Sequence, residues 1–112
     1  MPKVDRKAVY EKYGGRCAYC GRKIDIKDMQ ADHLKPQRQG GADEINNMMP
    51  SCRRCNHYKR ANTLDVYRSM LMDMERKVLD TYLGRVARDY GMVEWKGWDG
   101  EFFFEKLGGG NK

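Results

Sequence analysis

The sequence predicts an α+β domain in which strand, loop, strand and helix form a small core around a cysteine-built metal staple. Three observations carry that expectation. Two Cys-x-x-Cys pairs, Cys17/Cys20 and Cys52/Cys55, are separated by residues 21 to 51, 31 in all. Between them, "MQADHLKP" and "NMMP" read as short extended runs joined by the polar, glycine-bearing loop "RQGGADEIN". From Thr63 onward, apolar residues recur at threes and fours, the period of a helix.

Taken in order, "DRKAVYEKYGG" reads as a short helix, with Asp5 as N-cap and Gly14 or Gly15 ending it. "CAYCG" resembles a zinc knuckle, a tight turn that brings two thiolates to one ion. The first strand ends at Pro36, and "SCRRCNHYKRAN" reads as a helix with Ser51 as its cap. Leu64, Tyr67, Leu71, Met74, Val78, Tyr82 and Val86 then lie along one face of a long helix or a broken helical pair, with Thr63 as cap. Met70, Met72 and Met74 read as core filler. "VEWKGWDGEFFFEK" reads as a hairpin turning near Asp99-Gly100, its aromatics packed on the long helix, and "GGGNK" as a frayed end. The organisation expected is a core over residues 1–62 and a helical and hairpin extension of the same domain over 63–112.

A chain of 112 residues that is 40% hydrophobic and 34% charged builds only a modest core, which metal can reinforce. No apolar run approaches the ~20 residues that cross a bilayer, and the N-terminal "MPKVDRKAVYEKYGG" has no apolar signal segment. The expectation is therefore a cytoplasmic protein without a membrane partner, in a reducing compartment where cysteines bind metal rather than pair. The net charge of +6 is uneven. Residues 1–62 carry 14 Lys+Arg against 7 Asp+Glu, a net of +7, and residues 63–112 carry 8 against 9, a net of −1. Such a basic half suits a polyanion such as nucleic acid, or is a soluble basic surface.

Four thiolates suit tetrahedral Zn²⁺ and leave no open position on it, so this ion is structural. Two disulfides or an iron site with the same ligands are the other readings of four cysteines. The spacing of 31 exceeds the ~15–20 of common zinc ribbons. The added length contains Asp32 and His33, for which a closed structural site has no use.

"CAYCG", "ADHLKPQRQGGADEINNMMPSCRRCN" and "HYKR", from Cys17 to Arg60, resemble the HNH endonucleases with a Cys₄ zinc site. The Asp-His pair, the Gly-Gly loop, Asn47 five residues before Cys52, Asn56 directly after Cys55 and Lys59 three further on follow that family's order. The C-terminal part is similar, more loosely, to small phage and prophage members. The resemblance implies a ββα-metal (His-Me finger) core and metal-dependent hydrolysis of phosphodiester bonds in DNA, double-stranded DNA first. His33 would be the general base, and Asn47 would accept a hydrogen bond from its ring. Asp32 and Asn56 would hold a catalytic Mg²⁺ or Mn²⁺. Neighbours on a strand point to opposite faces, which fits a division of labour between Asp32 and His33. Many relatives carry histidine at the third motif position, where this chain has Asn56 beside His57. Asn56 is preferred as ligand because its spacing to Lys59 matches the Asn-x-x-Lys form, leaving His57 to a phosphate or to solvent. Lys35, Arg38, Arg53, Arg54, Lys59 and Arg60 are the candidates for backbone phosphates. The alternative function is a zinc-stapled nucleic-acid-binding module without activity. A cross-brace interaction domain needs eight ligands, more than four cysteines and two histidines provide.

Overall fold

The computed structural model describes residues 4–109; residues 1–3 and 110–112, which include the start of the N-terminal stretch and the end of the glycine tail, lie outside them. The chain divides into two compact units. One takes the chain through Leu64 and again from Glu101, and the other is Asp65–Gly100. The segment from Glu101 thus groups with the first unit.

In the first unit, helix α1 (Arg6–Glu11) starts where Asp5 accepts a hydrogen bond from the Lys7 N–H at 3.1 Å. Gly14 and Gly15 follow with φ of 68° and 80°, a left-handed turn that side chains resist. Strands β1 (Gln30–His33) and β2 (Met48–Ser51) pair antiparallel, Gln30 opposite Ser51 and His33 opposite Met48. Helix α2 (Arg53–Lys59) comes next. Its cap is Cys52, whose Sγ accepts from the Cys55 N–H, and not Ser51, which is the last residue of β2.

Val9 of α1, Met29 and Met48 form the core cluster, with Val4, Tyr10 and Ile24 packed around it. Polar side chains tie α1 and the residue after it to the chain leading into each strand. Arg6 Nη2 donates to the carbonyls of Ile26 and Met29, and Lys12 Nζ to those of Ile45 and Met48. Desolvation there lowers the Lys12 pKa. The knuckle Cys17–Cys20 hangs on β2 through Ala18 N–H to Pro50 O at 2.8 Å.

The C-terminal segment is not a hairpin. Phe103 and Phe104 donate their N–H groups to the carbonyls of Tyr19 and Ala18, and the chain then turns into α6 (Phe103–Gly109), where Glu105 accepts from the Phe102 N–H. Phe102 is buried, with its ring edge-on to Tyr19 at 5.5 Å, and Phe104 meets Tyr13 and Tyr19 at 6.2 Å. These aromatics therefore cover the knuckle, where the sequence reading packed them on the long helix. Strand pairing loses because Gly97 and Gly100 both take positive φ and because the carbonyls of Tyr19 and Ala18 in the knuckle accept from Phe103 and Phe104.

In the second unit the stretch expected as a long helix or a broken helical pair forms three helices: α3 (Leu64–Met72), α4 (Met74–Leu79) and α5 (Tyr82–Asp89). Asp73 and Asp80-Thr81 make the breaks. Asp73 binds Arg76 through both oxygens, and Thr81 caps α5 by accepting from the Gly84 N–H at 3.0 Å. Gly84 is required at the second break, because a Cβ there would stand 2.6 Å from the Val78 carbonyl oxygen. The breaks rotate the apolar stripe out of register, so Tyr67 is buried while Val78 and Tyr82 are exposed. Met72 is exposed too and is no core filler.

Candidate functional site

The four cysteine sulfurs converge. They come from the knuckle and from the start of α2, and all lie within 4.8 Å of one another, Cys20 and Cys52 at 3.9 Å. Sulfurs bound to one tetrahedral zinc at about 2.3 Å stand about 3.8 Å apart, so this donor set fits the ion. The thiols also perturb one another. Cys17 is held far below the ordinary thiol range by its hydrogen bonds with Cys20 and Cys55, while Cys20 is pushed up to about 11 by its hydrogen bond with Cys17. A zinc ion here could join the knuckle to α2 and clamp the strand pair between them. No other cluster of three or more His, Cys, Asp or Glu ligands occurs among the described residues.

The strand pair presents Asp32 and His33 to different surroundings. Asp32 is buried, and its Oδ2 accepts from the Tyr19 hydroxyl at 2.6 Å and lies 3.0 Å from Lys59 Nζ. Lys59, on α2, is fully buried and also donates to the His33 carbonyl oxygen at 3.2 Å. Its ammonium lies 6.0 Å from the Tyr19 ring centroid. Lys59, read from the sequence as a phosphate contact, is thus turned inward onto Asp32 and away from solvent. Burial overrides the usual solvated place of a helical lysine because a buried carboxylate needs a paired charge.

His33 is partly exposed, and its Nε2 lies 2.6 Å from Asp43 Oδ1. Asn47 does not touch the ring. Its Oδ1 accepts from the Lys35 N–H at 2.8 Å, and its Nδ2 donates to the carbonyls of Lys35 and Ala42. Asn47 therefore clips the two ends of the loop together, and Asp43 takes the ring contact that the sequence reading gave to Asn47. Asp43 also accepts from Gln37 Nε2 at 2.8 Å. With His33 as the larger cause and Gln37 the second, its carboxyl is held below the usual range. Sequence reasoning missed Asp43. The only signal for it was an acid following the Gly-Gly turn, in a loop with no periodicity to give its direction.

Asp32 and His33 line a cavity of about 370 Å³ together with Ala31, Gln37, Asn56 and Arg60. Asn56 faces this cavity from α2, whereas His57 is exposed and does not line it. Arg38 and Arg60 stand on its wall, Arg38 donating to the Ala61 carbonyl at 2.9 Å. Arg60 is exposed with φ 55°, the non-glycine residue at which the chain leaves α2. Lys35 is exposed beside the loop. Arg53 and Arg54 point elsewhere, into a second cavity of about 460 Å³ that Arg22, Lys23, Asp25 and Asp28 also line. The structure thus gathers Asp32, His33, Asn56, Arg38 and Arg60 and leaves Arg53, Arg54 and His57 apart.

No helix is long and apolar enough to cross a membrane. No curated protein matches the chain. Its central stretch does match a family model, that of the HNH endonucleases, a family that hydrolyses DNA. That match runs over residues 17–62, which include the four cysteines, the strand pair, the Asp32/His33 cavity and α2, and over this stretch the chain is similar to the HNH endonucleases.

Proposed function

We propose that the protein is a metal-dependent endonuclease that hydrolyses phosphodiester bonds in DNA, with His33 as general base. The observation that carries this reading is the shared cavity of His33, Asp32 and Asn56 beside two arginines. Hydrolysis needs a water whose proton is removed, a phosphate whose charge is neutralised and a departing 3′ oxygen that is stabilised. His33 is the one imidazole on the cavity and can accept the proton. The water oxygen then attacks phosphorus in line, the bond to the 3′ oxygen breaks, and the 3′ oxygen takes a proton from solvent. Arg38 and Arg60 bind flanking phosphates, a contact that carries no sequence preference.

Asp32 and Asn56 would hold the divalent ion. A carboxylate and an amide oxygen are the hard donors that Mg²⁺ or Mn²⁺ prefers, and two protein ligands leave room for waters and phosphate oxygens. Both contacts to Asp32 fall on Oδ2, so Oδ1 is the oxygen to offer. When bound, such an ion supplies Lewis-acid charge neutralisation at the phosphate. Lys59 and Tyr19 fix the carboxylate in advance of that binding.

Supercoiled plasmid incubated with the protein and Mg²⁺ or Mn²⁺ tests the reading. Nicked or linear product with wild type, and none with His33→Ala, is the expected result. Plasmid that is retarded but never cut, with any divalent metal, would instead make the chain a binding module.

A further inference from the structure

The loop after β1 wraps back onto His33, and its construction is more specific than a surface connection needs. Residues 37–39 form a single 3₁₀ turn closed by Gly40 at φ 91°. Gly41 then passes so close to the Lys35 carbonyl that a Cβ would stand 1.7 Å from its oxygen. Asn47 clips Lys35 and Ala42 to itself from the other side. The product of these contacts is the position of the next residue, Asp43. Its Oδ1 receives Gln37 Nε2 and stands 2.6 Å from His33 Nε2.

We propose that Asp43 is the positioning residue of the general base: it holds the His33 ring as the Nε2–H tautomer and so makes Nδ1 the nitrogen that takes the water proton. This rests on the reading of His33 as base. An ionised carboxylate only accepts hydrogen bonds, so the contact to Nε2 requires the hydrogen on the ring nitrogen. A neutral imidazole carries one such hydrogen, and its other nitrogen is then bare. When Nδ1 receives the proton from water, an O–H bond breaks, an N–H bond forms, and the resulting imidazolium faces the Asp43 carboxylate. Gln37 holds that carboxylate in place through the same oxygen. Asp43 touches no substrate in this scheme and acts only through His33.

The test reads the tautomer directly. Nitrogen-15 NMR of labelled wild-type protein, at a pH where the ring is neutral and without DNA, should show His33 as Nε2–H, with the exposed His57 recorded alongside it. Asp43→Ala should give a mixed tautomer at His33, lower kcat for plasmid cleavage by about 10–100-fold and leave KM little changed. Zinc content and thermal midpoint check that the variant folds. Should Asp43→Ala fail to fold, Asp43→Asn preserves the shape without the charge and should lower kcat as well. An Nδ1–H tautomer in wild type overturns the proposal, and so does an unchanged tautomer and kcat in the folded variant, even when His33→Ala is inactive. Full activity in His33→Ala would instead remove the base reading, and with it the catalytic meaning of Asp43, whatever the tautomer.

Discussion

Lys59 Nζ lies 3.0 Å from Asp32 Oδ2, and the Lys59 side chain is wholly out of solvent. A buried carboxylate and a buried ammonium each cost several kcal/mol of lost hydration, and each is tolerable only beside the other. Tyr19 supplies the further hydrogen bond that such a pair requires. The helix that carries Asn56 is therefore bolted to the strand that carries Asp32 and His33 by an ion pair placed directly behind the cavity.

Lys59→Ala should consequently destabilise the protein by about 3–5 kcal/mol, the cost of leaving one buried charge unpaired. Arg60→Gln, one residue on and exposed, should change stability by less than about 0.5 kcal/mol. Denaturant unfolding of the two variants checks the contrast. Equal, small losses would mean that Lys59 is a surface residue after all.

That pair also shows where the sequence is readable and where it is not. The Asp5 cap, the knuckle and the strand–strand–helix order are written locally, as a capping residue, a spacing and a pair of short extended runs. Lys59 sits among Arg53, Arg54 and Arg60, and nothing in composition separates the one cation that turns inward from three that do not. Its direction follows from a carboxylate 27 positions earlier in the chain, at Asp32. Asp43 is invisible for a similar reason, since a loop residue has no period to fix its face. The C-terminal aromatics flank an Asp99-Gly100 pair as the strands of a hairpin would, yet Tyr19 and Ala18 give them a docking edge that only the folded knuckle provides. The helical stripe after Thr63 is legible as helix, but Asp73 and Thr81 cap and break it.

Zinc removal should unfold the first unit. Its core cluster is small, and the knuckle is otherwise tied in by the Ala18–Pro50 and Tyr19–Asp32 hydrogen bonds and the C-terminal aromatics. Protein purified without added metal should carry one zinc per chain, and a strong chelator should abolish its native circular dichroism. Two disulfides found by thiol titration would contradict this.

Arg38 and Arg60 flank the proposed cleavage cavity, whereas Lys59 is internal. Arg38→Gln and Arg60→Gln should each weaken binding to every DNA sequence alike and reduce the slope of log affinity against log salt by about 1. Fluorescence anisotropy across a salt series measures it. Affinity indifferent to salt would argue against this basic face.

The ligand assignment predicts a pattern across four variants. His33→Ala should lose about 10²–10⁴-fold in cleavage, with folding and DNA binding retained, because it removes a proton acceptor. Asn56→Ala should lose activity that added Mg²⁺ or Mn²⁺ partly restores, since it weakens a ligand set. Asp32→Ala should be restored less well, because it also strands Lys59 inside the protein. His57→Ala, exposed and off the cavity, should cut nearly as wild type. Loss of cleavage in His57→Ala with Asn56→Ala active would reverse the choice between the two.

Gly41 offers a test of how the loop delivers its residues. An added Cβ would stand 1.7 Å from the Lys35 carbonyl oxygen and 2.9 Å from that of Pro36, backbone atoms that no side-chain rotation can move aside. The Gly41 N–H also donates to the Pro36 carbonyl at 2.9 Å, so the whole turn must open to admit a methyl group. Opening it breaks the geometry by which Asn47 grips Lys35 and Ala42, and with it the placement of Asp43 against His33. Gly41→Ala should therefore destabilise by about 1–3 kcal/mol, the range for overpacking. Its cleavage rate should fall further than that loss of folded protein explains, while zinc content stays at one per chain, since the cysteines lie on other elements. Gly14→Ala is the comparison, strained at φ 68° but with open space around the added carbon. It should cost stability alone and keep the cleavage rate of the folded fraction. Equal effects of the two substitutions on that rate would mean that the loop does not position the site.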